Sequence, residues 1–359
     1  MKSPPQAAPP SDPPANLYGL GRDALASVLL PWTDRRFHAD QLYHWMYGRQ
    51  ATSFEAMSDL SGALRRALPS RHRISWPEAQ VAGRSADGSV KYVLRLEDGR
   101  EIEAVHIVYG RRITFCISSQ VGCGLACGFC LTGTMGLVRN LTPGEILGQV
   151  SALAHAGSVD LASVRIVFMG MGEPLHNYDS VLEAFRILVD PRGFGVNTRR
   201  VTLSTVGLVP GIERLAGEDP RPRLAVSLSA STDPVRDRLV PINRKHDLEA
   251  LLGVCRRFPL APRERITFEY ILLQGINDGT ADADRVARLL HGVRAKVNVI
   301  PYNETGLAGF RAPASPVAVR FRDTLLARGI PATIRWSKGR DIGAACGQLA
   351  RGGGDAARG

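Results

Sequence analysis

Cys123, Cys127 and Cys130 fall within the run Cys123-Gly124-Leu125-Ala126-Cys127-Gly128-Phe129-Cys130. Thiolates at CxxxCxxC spacing can hold three irons of a 4Fe-4S cluster and leave the fourth iron open to a small molecule, so the spacing points to chemistry at a metal. A tetrahedral zinc site is the alternative that the residues leave open, because Cys116 lies near enough in sequence to supply a fourth thiolate. Phe129 and Leu131 flank the last cysteine, and Gly122, Gly124 and Gly128 loosen the loop, which suits a bulky group in a dry pocket.

Further candidates stand where apolar runs end. Gly170-Met171-Gly172-Glu173-Pro174 follows the run 166–169, and its glycines let backbone approach a ligand where a side chain would block it. This is no Rossmann fingerprint, since GxGxxG is absent. Ser204, the triplet Ser227-Leu228-Ser229 and Asn303 end or follow other apolar runs, where hydroxyl and amide groups can meet ribose, carboxylate or adenine edges. Glu101 and Glu103 share one face of a strand and read as solvent-facing carboxylates. Cys255, among Leu251, Leu252 and Val254, reads as core.

These groups need a scaffold, and from Ile113 onward the chain alternates strand-like and helical runs. The strands are expected at 164–169, 201–204, 224–227, 266–272, 297–300 and 332–335, with crossover helices at 143–154, 181–189, 247–256 and 281–290. About six such units predict an α/β fold, an open, partial (β/α)6 TIM-like barrel, with a doubly wound sheet as the alternative. Ahead of it, residues 22–30, 37–47 and 54–68 show helical spacing, and residues 74–108 read as hairpins. The expected division is a proline-rich disordered leader at 1–16, a small helical domain at 17–72, a β-hairpin extension at 73–110, the catalytic domain at 111–350 and a frayed tail at 351–359.

The 359-residue chain carries a formal charge of +11 and a pI near 9.8, which suits a polyanionic partner such as RNA, DNA or an anionic membrane. Arg35, Arg36, Arg49, Arg65, Arg66, Arg71 and Arg73, interleaved with Tyr43, Trp45 and Tyr47, fit phosphate contacts and equally fit a solvated basic face over an aromatic core. No signal-peptide pattern and no run of eighteen apolar residues occurs, so a soluble cytoplasmic protein without a membrane role is expected. Cysteines gathered in one short stretch do not resemble a secreted disulfide framework, and an oxygen-sensitive cluster needs a reducing compartment.

CxxxCxxC with an aromatic before the last cysteine resembles the radical S-adenosylmethionine (SAM) superfamily. The likeness becomes narrower in Thr114-Phe115-Cys116-Ile117-Ser118-Ser119-Gln120-Val121-Gly122-Cys123, Arg139-Asn140-Leu141-Thr142, the GMGEP segment at 170–174, Pro301-Tyr302-Asn303 and Asp341-Ile342-Gly343-Ala344-Ala345-Cys346-Gly347-Gln348-Leu349. Together these are similar to the RlmN/Cfr family of radical SAM 23S rRNA adenine methyltransferases, over about 17–349. Where that family commonly has histidine this chain has Ser229, and its 336–341 segment carries less acid than is usual, adding positive charge near the expected RNA entrance.

The resemblance implies one 4Fe-4S cluster on Cys123, Cys127 and Cys130, and SAM contacts at Gly172, Glu173, Ser204, Ser227, Leu228, Ser229 and Asn303. It implies two SAM molecules per turnover. The first methylates Cys346; the second is cleaved to a 5′-deoxyadenosyl radical that takes hydrogen from the S-methyl group, because the adenine carbon is not nucleophilic. The resulting thiomethylene radical adds to adenine, Cys116 resolves the adduct by forming a disulfide with Cys346, and Glu103 contacts the base or moves a proton. Implied partners are 23S rRNA before full subunit assembly, tRNA, a flavodoxin- or ferredoxin-like electron donor and a thiol reductant; a monomer is expected. The 114–123 segment and 227–244, SLSASTDPVRDRLVPINR, favour C2 of adenine 2503, with C2 of adenine 37 in tRNA as a second target, over C8 methylation of the same rRNA adenine. A reading from another class is a non-catalytic, metal-containing RNA-binding or ribosome-assembly protein.

Overall fold

The computed structural model describes residues 13–307 and 309–350, so the proline-rich start through residue 12 and the tail at 351–359 lie outside the described residues. Ala15–Asn16 (β1) pairs in parallel with His72–Arg73 (β2), which removes these two residues from the leader expected to be disordered. Between the two strands lie α1 (Arg22–Leu29), α2 (Arg36–Tyr47) and α3 (Gly62–Ala67). The third helix starts later than its apolar spacing suggested. The Ser61 hydroxyl accepts the Leu64 N–H and caps the helix there, leaving 54–60 as turns whose Phe54, Met57 and Leu60 still enter the core.

This helical module is welded to the rest of the chain. Gly19, at φ +106°, lies so close to Gly144 that a Cβ on Gly144 would stand 2.2 Å from the Tyr18 carbonyl oxygen, so only bare backbone fits on both sides. Arg22 donates to Asp190 at 2.6 Å, and Tyr47 stacks on Phe194. Tyr43 and Tyr47 are buried, Arg49 and Arg71 lie over Trp45 and Trp32, and Arg36 and Arg73 are ion-paired with Asp23 and Glu97.

The main sheet has ten strands. An antiparallel part, β3 (Ala79–Arg84), β4 (Val90–Arg95) and β5 (Glu101–Tyr109), runs into β6 (Arg112–Ile117). A small hairpin, β7 (Gln120–Cys123) with β8 (Gly136–Asn140), stands apart. The sheet then continues in parallel through β9 (Arg165–Phe168), β10 (Val201–Thr205), β11 (Arg223–Ser227), β12 (Ile266–Leu272), β13 (Ala295–Pro301) and β14 (Ala332–Ile334). The hairpins of 73–110 are therefore the edge of the main sheet rather than an extension standing off it. Their pairing of Val105 with Cys116 continues the hydrogen-bond ladder into the parallel strands.

Apart from the β7–β8 hairpin, strands lie side by side in chain order from β3 to β14. A doubly wound sheet reverses its order at a switch point and this one never does, so the architecture is an open partial barrel. Helices α4 (Leu131–Thr134), α5 (Pro143–Gly157), α6 (Tyr178–Val189), α7 (Val209–Ala216), α8 (Asp233–Leu239), α9 (Leu248–Arg257), α10 (Thr280–Leu289) and α11 (Ser315–Ala327) occupy the crossovers. Cys255 is buried on α9, among the apolar residues expected. Along β10, Val201, Leu203 and Thr205 are buried while Thr202 and Ser204 are half-buried, the period-two signature of one face against helices and one on a lumen. No helix of the described residues is long and apolar enough to cross a membrane.

Candidate active site

The loop after β6 and the turn after β9 are built as one unit. The Ser118 hydroxyl donates to the Glu103 carbonyl at 2.6 Å and accepts the Met171 N–H at 2.8 Å, while its own N–H donates to Gln149 at 2.7 Å. The Ser119 N–H donates to the Met171 carbonyl, and Gln120 Oε1 accepts the Glu173 N–H at 2.9 Å. Gly172 turns at φ +98°, and a Cβ there would stand 2.8 Å from the Gln120 backbone nitrogen. Ser118-Ser119-Gln120 is thus the clamp that holds the GMGEP turn beside the cysteine loop. Arg139-Asn140-Leu141-Thr142 has a similar office: Thr142 and Glu145 form a capping box at the start of α5, and Arg139 forks onto Glu145 at 2.8 Å.

Cys123, Cys127 and Cys130 line one cavity together with Gly172, Glu173, Ser204 and Ser227. Burial pushes the Cys123 thiol up to about 11, and burial together with the neighbouring thiols raises Cys127 further. Such dry, mutually repelling thiols are stable as thiolates only when a cation shares the pocket, which is the condition a cluster meets. Among the described residues no three His, Cys, Asp or Glu side chains converge as ligands of one metal ion do. Cys116, the fourth thiolate that a zinc site would need, does not line this cavity, so Cys123, Cys127 and Cys130 fit a cubane, where each takes a different iron, better than a zinc ion.

Glu173 is 2 % exposed, accepts the N–H groups of Leu175 and Val206 at 3.0 and 2.9 Å, and is pushed up to about 7 by burial. Leu228, Ser229 and Asn303 do not line this cavity. The Leu228 amide and carbonyl are taken by Glu269 and Arg236, and the Ser229 carbonyl by Asn277 at 2.7 Å. The buried Ser229 hydroxyl has no partner. Asn303 instead donates from Nδ2 to the Cys346 carbonyl at 3.2 Å, so it holds the loop of that cysteine.

A second cavity, of about 400 Å³, lies on the other side of Cys346. Cys116 from β6 lines it, and burial pushes the Cys116 thiol up to about 12, with Cys346 adding to the rise and Arg335 opposing it. Met169, Glu269, Arg335 and Cys346 line both cavities, and Cys346 is the one cysteine among the described residues to do so. The segment carrying Cys346 is latched from several directions. The Leu131 N–H donates to the Gly347 carbonyl at 2.8 Å, and the Thr132 hydroxyl to that of Leu349 at 2.6 Å. The loop of Cys123, Cys127 and Cys130 and the segment of Cys346 are therefore hydrogen-bonded neighbours.

Glu103 departs from its expected place on solvent. It is 1 % exposed, pairs with Lys91 at 3.1 Å, accepts the Ala350 N–H at 3.0 Å and lines neither cavity. Two residues between the cavities had no motif to announce them. Arg335 gains charge stabilisation first from Cys346, then from Glu269 and Cys116. Glu269 is raised by burial, accepts from Asn298 at 3.0 Å and keeps a buried carboxylate oxygen without a partner. An ionisable residue inside an otherwise apolar strand is the one sequence signal that marks Glu269. Arg236 was equally silent: fully buried, it donates to the carbonyls of Val206, Ser227 and Leu228 and so fixes the ends of β10 and β11 beneath the cavity.

Comparison with known proteins gives consistent matches. Residues 117–287 match the family model described as the radical SAM superfamily, and residues 15–74 the one described as the ribosomal RNA large subunit methyltransferase N-terminal domain. A dual-specificity RNA methyltransferase RlmN of Syntrophotalea carbinolica is 50% identical over 335 residues, 93% of this chain and 89% of that one. The protein of the same description from Geobacter sulfurreducens is 48% identical over 334 residues, 93% of this chain and 91% of that one. The crystal structure of a radical SAM methyltransferase from Sphaerobacter thermophilus superposes with a TM-score of 0.87 at 43% identity, covering 94% of this chain and 99% of that one.

Proposed function

The chain belongs to the RlmN family of dual-specificity RNA methyltransferases, and from that premise we propose that it methylates C2 of adenine 2503 in 23S rRNA, with C2 of adenine 37 in tRNA as a second target. It is a radical SAM enzyme whose cofactors are one 4Fe-4S cluster and SAM. The observation that carries the proposal is the place of Cys346, lining both the cavity of the cluster thiols and the cavity of Cys116. A residue that takes a methyl group on one side and delivers it on the other must stand at such a junction.

Cys123, Cys127 and Cys130 are assigned to the cluster, and Gly172, Glu173, Ser204 and Ser227 to SAM. Bound there, these cofactors supply the methyl group and the one-electron chemistry that an unreactive ring carbon requires. Leu228, Ser229 and Asn303 act behind the cavity wall, by shaping it and by holding the Cys346 loop. Arg335 lines both cavities and its positive charge opposes the effect of burial on the Cys116 thiol, which favours that sulfur as a nucleophile. Glu103 is assigned to proton handling on the Cys116 side, where Val105, two residues on, pairs with Cys116. Glu103→Gln keeps an oxygen for the Ala350 N–H but removes the base, so it should abolish methylated product; unchanged turnover would leave Glu103 as a latch for the tail.

The decisive experiment is anaerobic reconstitution with iron and sulfide, reduction in the presence of SAM and a protein-free 23S rRNA fragment, and nucleoside mass spectrometry. 2-Methyladenosine is the expected product. 8-Methyladenosine in its place would overturn the regiochemistry, and the absence of any methylated adenosine together with intact SAM would favour a non-catalytic RNA-binding protein.

A further inference from the structure

The Cys116 cavity opens at the barrel end opposite the cluster loop, and its rim has its own chemistry. Arg112 and Arg165 are the first residues of β6 and β9, Arg200 immediately precedes β10, and Lys296 is the second residue of β13; all four line the cavity. Among the described residues none of the four is ion-paired to a carboxylate, whereas Arg36 and Arg73 of the helical module are. Arg223, at the start of β11, adds a fifth charge, and its buried Nε has no partner. Burial and this crowding hold Arg165 and Lys296 below their ordinary values. Among the described residues Glu269 is the one carboxylate lining this cavity, so the positive charges outnumber it, an arrangement that is unfavourable in the free protein and is relieved by a polyanion.

Two aromatic side chains complete the rim. Trp336 is 43 % exposed and Tyr109 58 % exposed, and both line the same opening, with Lys338 lying 5.1 Å from the centre of the Tyr109 ring. Large aromatic faces left in water beside unpaired cations are the two elements of a single-stranded nucleic-acid platform, one for bases and one for phosphates. The lumen behind them ends at Cys116 and Cys346.

We propose that this rim is the subsite for the unpaired RNA strand flanking the target adenosine, with backbone phosphates on Arg112, Arg165, Arg200 and Lys296, and a neighbouring base stacked on Trp336. The inference rests on the RNA methyltransferase reading and adds the face by which the strand arrives and the residues that hold it. The target base passes through the ring of charge into the lumen, while its neighbours stay outside on the aromatics, as extrusion of a base for chemistry requires. An acidic electron-donor protein is the competing occupant of a basic face, but it would dock at the end of the barrel away from the cluster thiols.

The test uses the full-length, reconstituted protein and a fluorescein-labelled RNA stem-loop carrying the target adenosine in its unpaired loop, with Kd measured across a salt series. Arg165→Ser/Arg200→Ser should weaken binding and flatten the dependence of log Kd on log salt by about 1.4, at about 0.7 for each single-strand phosphate that is no longer neutralised. Trp336→Ala should weaken binding roughly tenfold at unchanged salt slope, and Trp336→Phe should restore most of it. Arg165→Lys/Arg200→Lys should keep the wild-type slope, which separates an effect of charge from an effect on folding. Wild-type affinity and slope in both the serine and the alanine variants would overturn the proposal. So would unchanged RNA binding combined with slowed reduction by a flavodoxin, which would give the rim to the electron donor. Formation of 2-methyladenosine by the wild-type protein is the separate readout for the reading on which this one rests.

Discussion

Cys346→Ala is expected to lower methylated-adenosine formation by roughly four orders of magnitude or more, the scale on which losing a covalent nucleophile acts, while cluster absorbance after reconstitution stays at the wild-type level. The reason is positional. The three cluster thiols and Cys346 line one cavity, but only Cys346 continues into the next, so its removal leaves SAM beside the cluster with no carrier toward the base. Asn303 and Leu131 hold the neighbouring backbone and keep their partners when the thiol is gone, so the segment should stay in place. Peptide mass spectrometry provides the paired measurement: the wild-type protein should carry an S-methyl group on Cys346 after incubation with SAM. Normal RNA methylation by Cys346→Ala would reject the carrier and require direct transfer from SAM.

Cys116→Ala should fail later. Its expected signature is methylated Cys346 and continued SAM cleavage, with RNA accumulating in covalent linkage to the protein through Cys346. The ring hydrogen would leave the first adduct as a proton and its unpaired electron would return to the one-electron cofactor, so that the Cys346 sulfur is then bonded through a methylene carbon to the base. Attack by the Cys116 thiolate forms the disulfide and breaks the sulfur–carbon bond; the carbon leaves with the electron pair and gains a proton to become the methyl group. On this proposal each turnover would end with a disulfide, which an external thiol reductant would have to open. Burial disfavours the thiolate this step needs, and Arg335, facing both sulfurs, opposes that effect. A denaturing gel with peptide–nucleotide mass spectrometry reads the adduct directly. Release of methylated RNA at the wild-type rate, with no adduct at any time, would return Cys116 to packing.

Legibility followed distance along the chain. The cluster ligands were plain because three thiols that share one cofactor sit on one short loop, where spacing alone brings them together. The β/α order was equally plain, since each crossover is a local alternation of period and the strands then assemble in chain order. Residues 54–61 misled because apolar spacing continues through them, while helix formation waits for the Ser61 cap. Glu103 misled because strand alternation shows that Glu101 and Glu103 share a face but not what covers it. Here Lys91 and the distant Ala350 backbone lie over Glu103.

What the sequence alone determined is the chemistry: thiolates at iron-cluster spacing, a glycine-rich strand-end turn, and two further cysteines in recognisable segments. What only the tertiary structure decided is the assignment of those residues to sides. Folding put Cys346 between two cavities, gave Cys116 to the outer one, withdrew Leu228 and Ser229 behind the wall, and gathered Arg112, Arg165, Arg200 and Lys296 around one opening although they lie at or next to the starts of separate strands. The physical reason is that a strand's lumen face depends on its register against neighbours far away in sequence, because a shift of one residue exchanges the faces. Spacing within one strand carries no record of that register.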